Sequence, residues 1–122
     1  MDLLRQSDDQ IVKIANPIMD NQLDASMKSD FKRAIENFSD TVKKEFTEEI
    51  FLKQCEERES KFGDFTSRKL MGIIKQKNLV TIYWNQRLSK TNDEFLAVLA
   101  LSQNGSRYII ERAYVDLWQF ES

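Results

Sequence analysis

Residues Glu94 to Trp118 read EFLAVLALSQNGSRYIIERAYVDLW, and this stretch restricts the fold more than any other. Asn104-Gly105 separates two β-prone runs, and a two-residue type I′ turn needs positive φ at both central positions, which Asn and Gly tolerate. With that turn, Gln103 faces Ser106. Counting back then pairs Leu101 with Tyr108, Leu99 with Ile110, Ala97 with Arg112, and Phe95 with Tyr114 on one face. The other face carries Ala100 with Ile109, Val98 with Glu111, and Leu96 with Ala113. The first row is bulkier and buries more apolar area, so it is the expected core side. The second row is also largely apolar, so both faces of the sheet ask for cover.

The residues before this hairpin extend the sheet. From Asp64 onward the period is strand-like, with turn signals at Lys75 to Asn78 and Ser89 to Asn92. Four consecutive antiparallel strands are therefore expected near 65–75, 79–88, 94–102 and 107–118. A four-residue loop at Ser89 to Asn92 pairs Leu88 with Asp93 and turns Val80, Ile82, Trp84, Gln86 and Leu88 to the core face. A five-residue loop would instead send Tyr83, Asn85 and Arg87 inward. The shorter loop collects the larger apolar set, and one residue of slip reverses every side chain, so the shorter loop is preferred.

The first half is helical, about 8–62. Ser7 and Gln10 have capping-box spacing ahead of Ile11, Ile14, Ala15 and Ile18, which recur at helical period. Pro17 either kinks this helix or begins a new one after Asn16, since Pro is poorly tolerated inside a helix and well tolerated at its first position. Phe31, Ala34, Ile35 and Phe38 form an i, i+3, i+4, i+7 stripe after Ser29-Asp30, the clearest helical pattern in the chain. Val42 and Phe46 add a short amphipathic piece. Thr47 caps a further helix with Phe51, Cys55, Arg58 and Phe62 on one side, and Gly63 stops it.

On the preferred register Trp84, Ala97 and Arg112 lie side by side across three strands, with Arg112 and Gln86 as polar intruders on an apolar face. Two readings of Arg112 stand: a structural cation that pairs with a helix carboxylate or helix-end carbonyls, or an anchor for an anionic or polar ligand. In the second, Trp84, Tyr108 and Tyr114 are walls, and Asp116 is next in parity. The candidate pocket is thus Trp84, Gln86, Tyr108, Arg112, Tyr114 and Asp116. The outward row of Leu96, Val98, Ala100, Ile109, Ala113 and Val115 also needs cover. A second copy supplies it economically, because a two-fold dimer buries the same patch twice.

Bulk composition excludes several functions. A chain of 122 residues suits one domain. Its 18 basic and 20 acidic residues leave a net charge of −2 without a basic block, which is no footprint for nucleic acid. Histidine is absent, which removes Ser-His and Cys-His catalysis and imidazole metal sites. Cys55 has no disulfide partner and reads as a small buried hydrophobe. Glu56, Glu57 and Glu59 sit on successive positions that point apart around a helix and read as a solvated face. No metal, cofactor or catalytic constellation is implied. No apolar run approaches membrane-spanning length, and the opening residues lack a basic-then-apolar leader pattern, so no membrane role and a cytoplasmic location are the expectations.

The helix-then-meander order is carried by quotable residues. ANPIMDNQLDASMKSDFKRAIENFSDTVKKEF resembles the opening helices of small stand-alone members of the NTF2-like, or cystatin-like cone, superfamily. FTEEIFLKQCEERESKFGDFTSRKLMGI resembles their third helix, glycine stop and first strand, and TIYWNQRLSKTNDEFLAVLALSQNGSRYIIERAYVD is similar to their last three strands. The resemblance covers roughly residues 10–118 and implies an α+β cone in which helices pack on a curved four-stranded antiparallel sheet. It rests on apolar and turn patterns, and fold does not carry function with it.

Enzymes of that superfamily, such as ketosteroid isomerase and scytalone dehydratase, use carboxylate, tyrosine or histidine groups inside the cone. Here no Asp or Glu falls among the central inward positions, and a general base must reach its substrate. The expected function is therefore a non-enzymatic, dimeric domain that binds a small ligand or acts as an interaction module. The alternative is an isomerase or dehydratase-like enzyme acting on a small apolar substrate, with Asp116 as base and a tyrosine as acid. A third reading is a structural domain whose cone is filled by its own side chains.

Overall fold

The computed structural model describes residues 2–117. A 3-10 turn at Leu3–Arg5 leads into α1 (Asp8–Met27), α2 (Phe31–Ile35), α3 (Asp40–Glu45) and α4 (Glu48–Lys61). Strands β1 (Phe65–Gln76), β2 (Leu79–Leu88), β3 (Phe95–Asn104) and β4 (Arg107–Asp116) follow and form one antiparallel sheet in chain order. The α+β class read from the sequence is the observed one. Trp118, placed at the end of the last expected strand, lies outside the described residues.

Each helix starts where a side-chain oxygen accepts from an amide that the helix leaves unpaired. Ser7 accepts from the Gln10 amide, Asp30 from Arg33, Ser39 from Val42 and Thr47 from Ile50. α1 runs through Pro17 as one element, so neither a restart nor a second cap is needed there. Asp24 near its end pairs with Arg33 at 2.7 Å and Lys28 at 3.1 Å, which ties α1 to α2. Hydrogen bonds from these two cations hold the Asp24 carboxyl below its ordinary pKa.

The stripe from Phe31 to Phe38 is helical only as far as Ile35. Phe38 leaves the helix to form a parallel bridge with Ile110, in which the Ser39 amide donates to the Ile110 carbonyl and the Ile110 amide to the Asn37 carbonyl. β4 is an edge strand, and its free backbone groups at Ile110 outcompete one more helical turn.

α1 lies over the sheet. Its Ile11, Ala15 and Met19 join Ile82, Trp84 and Leu99 in the main apolar cluster. A second, smaller cluster of Ala25, Ala34, Phe51 and Cys55 holds α4 against α1 and α2. Phe46 packs against both.

The β2–β3 register is the preferred one, with Trp84 opposite Ala97 and Val80 opposite Leu101. The β3–β4 hairpin differs in two ways. Its turn is Gly105-Ser106 between paired Asn104 and Arg107, with positive φ at Gly105 and none at Ser106, the pattern of a type II′ turn with glycine first. This re-pairs Leu101 with Ile110 but leaves Tyr108 and Ile110 facing the helices.

The second difference is larger. A bulge at Glu111 breaks the register between Ala100 and Leu101, so that Ala100 pairs with Arg112, Val98 with Tyr114 and Leu96 with Asp116. One extra residue inverts the parity beyond it. Ala113 and Val115, expected on the outer face, pack against the core. Arg112 and Tyr114, expected inside, are exposed.

Candidate functional site

Between the two apolar clusters lies a cavity of about 570 Å³, well within the size range of small-molecule sites. The short helices α2 and α3 border it through Ala34, Val42 and Glu45, and α3 buries no residue of its own. Leu23 of α1, Phe38, Phe46, Phe51, Phe65 and the inward residues of β4 give it an apolar wall. Phe46 stands 5.9 Å from Phe38 and 6.0 Å from Phe51, ring centre to ring centre, an aromatic corner of ordinary spacing.

The cation in this wall is Arg58, only 3% exposed. Thr47 starts α4 so that Phe51, Cys55 and Arg58 share the face turned toward α1, and all three are buried. Arg58 Nη1 donates to the Gly63 carbonyl, and Nη2 donates to the Ser26 carbonyl at 3.4 Å. The guanidinium lies 4.9 Å from the Phe65 ring centre. Its nearest carboxylate is Asp64 at 3.8 Å, on a side chain that is 71% exposed. Arg58 Nε is buried and has no hydrogen-bond partner among the described residues. Cys55, also in the wall, has its Sγ 3.8 Å from Ser26 Oγ.

The residues chosen from sequence are dispersed. Trp84 is buried on the core face but lies under Arg68, whose guanidinium carbon is 5.1 Å from the ring centre and which pairs with Asp20 at 2.7 Å. Gln86 is fully buried and spends its amide on the Ser67 and Arg87 carbonyls, while its Oε1 has no partner among the described residues. Tyr108 packs against the main cluster. None of these three borders the cavity. Arg112 is exposed on the opposite face of the sheet. Only Tyr114 and Asp116 reach the cavity, both from the edge strand.

The arginine in the cavity wall is thus Arg58 and not Arg112, and a signal for it is legible in the sequence. Arg58 occupies a position in an otherwise apolar helical stripe, where a cation must either snorkel to solvent or find partners inside. Among the described residues no cluster of three or more His, Cys, Asp or Glu side chains is placed to hold a metal ion. Among them also, no helix is long and apolar enough to cross a membrane.

Fold and site together define a helix-covered, open antiparallel meander with an aromatic-walled cavity and a buried arginine. A solved structure, that of Bd1075 from Bdellovibrio bacteriovorus, is similar at 13% sequence identity and a TM-score of 0.50. The match covers 84% of this chain and 39% of that one, so the chain spans well under half the length of the protein it resembles. At such identity the likeness speaks for the fold alone. No protein-family model and no curated protein matches the sequence.

Proposed function

We propose that this chain is an NTF2-like domain that binds a small ligand in its cavity and pairs through the outer face of its sheet, without catalysing a reaction. The observation that carries the binding half is the cavity of about 570 Å³ with Arg58 in its wall. A domain whose interior was filled by its own side chains would have no reason to keep an under-partnered cation beside open space.

Asp116 at the cavity border is the one feature in favour of the isomerase-like or dehydratase-like alternative. That reaction also needs an acid across from the base, and Tyr108 does not border the cavity while Tyr114 is 47% exposed. Binding is the better supported reading.

The pairing half rests on the outer face, where Tyr83 and Tyr114 flank Val98, and Ile74 and Thr81 lie beside Ala100. Ile74 is 50% exposed, and Leu96 and Ile109 are half-buried. A two-fold partner covers this apolar face with a copy of itself, sheet on sheet. Native mass spectrometry of protein purified without added ligand is expected to show a dimer carrying a small molecule. A bare species that also takes up no added small molecule would overturn the binding reading.

A further inference from the structure

We infer that the cavity takes a monocarboxylate with an apolar body, its carboxylate seated against Arg58 and its body among the phenylalanines. The inference rests on the ligand-binding reading and specifies its chemistry. Arg58 is 3% exposed, and among the described residues its only acidic partner, Asp64, is 3.8 Å away on a largely solvated side chain. A charge held this far from water with so distant a counter-ion is electrostatically incomplete. An anion brought into the cavity completes it.

The donor inventory sets the size of that anion. A guanidinium carries five N–H donors. The terminal nitrogens already serve the Gly63 and Ser26 carbonyls, while Nε–H has no hydrogen-bond partner among the described residues. That leaves three N–H groups, Nε–H among them, enough in number to meet the two oxygens of one carboxylate. A dianionic phosphate would need a second cation, and among the described residues Arg58 is the only Arg or Lys in the cavity wall.

Outside its neutral polar members, Gln22, Ser26, Gln54 and Tyr114, the rest of the wall sets the body of the ligand. Leu23, Phe38, Phe46, Phe51 and Phe65 present carbon, not hydrogen-bonding groups. The acidic members of the lining, Glu45 and Asp116, are reached by solvent and screened there. The buried field inside is therefore that of Arg58.

The test titrates isotope-labelled protein with decanoate, decanol and decylammonium separately, following amide shifts. Decanoate is expected to shift amides near Ser26, Phe46 and Arg58 and to bind about tenfold or more tightly than decanol, the worth of one charge-assisted contact. Decylammonium is expected to bind least. Arg58→Gln should bring decanoate and decanol to similar affinity. If that variant does not fold, the ranking of the three probes on the unaltered protein decides alone. Decanol binding as tightly as decanoate at the same amides overturns the carboxylate inference and leaves the cavity reading standing. No binding by any probe overturns the inference, and a ligand of another class in native mass spectra then keeps the broader reading alive.

Discussion

Two arginines show how much a single side chain's surroundings decide. Arg58 donates to the Gly63 and Ser26 carbonyls, so its loss leaves buried acceptors without donors. Arg58→Met is expected to destabilise the protein by roughly 1–3 kcal/mol. Arg112 is exposed and sits beside Ala100 on the outer face. Arg112→Met is expected to change stability by no more than about 0.5 kcal/mol. Urea denaturation of both variants checks the contrast, and equal losses would contradict the placement of either residue. From sequence the two were hard to tell apart, because each is a cation among apolar neighbours. Arg58 was in fact on a legible helical stripe with Phe51 and Cys55. Strict alternation turns Arg112 inward because it runs through Glu111, where the bulge breaks alternation.

At the level of elements, the parts fixed by local chemistry were readable and the parts fixed by competition were not. The β2–β3 register followed from alternation, since Val80, Ile82 and Trp84 all demand the same face and only one loop length allows it. The Glu111 bulge left no such trace. Ile109-Ile110 and Ala113-Tyr114-Val115 offer apolar side chains at both parities, so either register looked acceptable. Shortening of α2 was equally hidden, because Phe38 satisfies a helical stripe and an edge-strand bridge alike. The two glycine turns separate by crowding. A Cβ at Gly63 (φ +81) would meet Ser89 Oγ at 2.2 Å, and that hydroxyl is held by the Asp64 amide. At Gly105 (φ +63) nothing lies within 4 Å. Gly105→Ala should cost about 1 kcal/mol for its backbone alone, whereas Gly63→Ala should cost clearly more, by roughly another 1–2 kcal/mol of forced displacement. Thermal denaturation of the pair measures the difference.

For the whole molecule, the proposed pairing places Ile74, Tyr83 and Tyr114 at the contact. Ile74→Glu adds a charge at a half-exposed site on β1 and should be tolerated by the isolated fold. In a sheet-on-sheet dimer it buries two like charges and should shift light-scattering mass at tens of micromolar to that of a monomer. A variant of unchanged mass at that concentration would place any self-association elsewhere. The bridge at Ile110 has a further bearing on assembly. At Ile110 it takes up the outward main-chain hydrogen bonds of β4 that an incoming strand would need to continue the ladder at that point. The opposite rim, on β1, is bent by irregularities at Thr66–Ser67 and at Met71. Growth by lateral addition, the route to fibrils, is thereby hindered at these points on both margins.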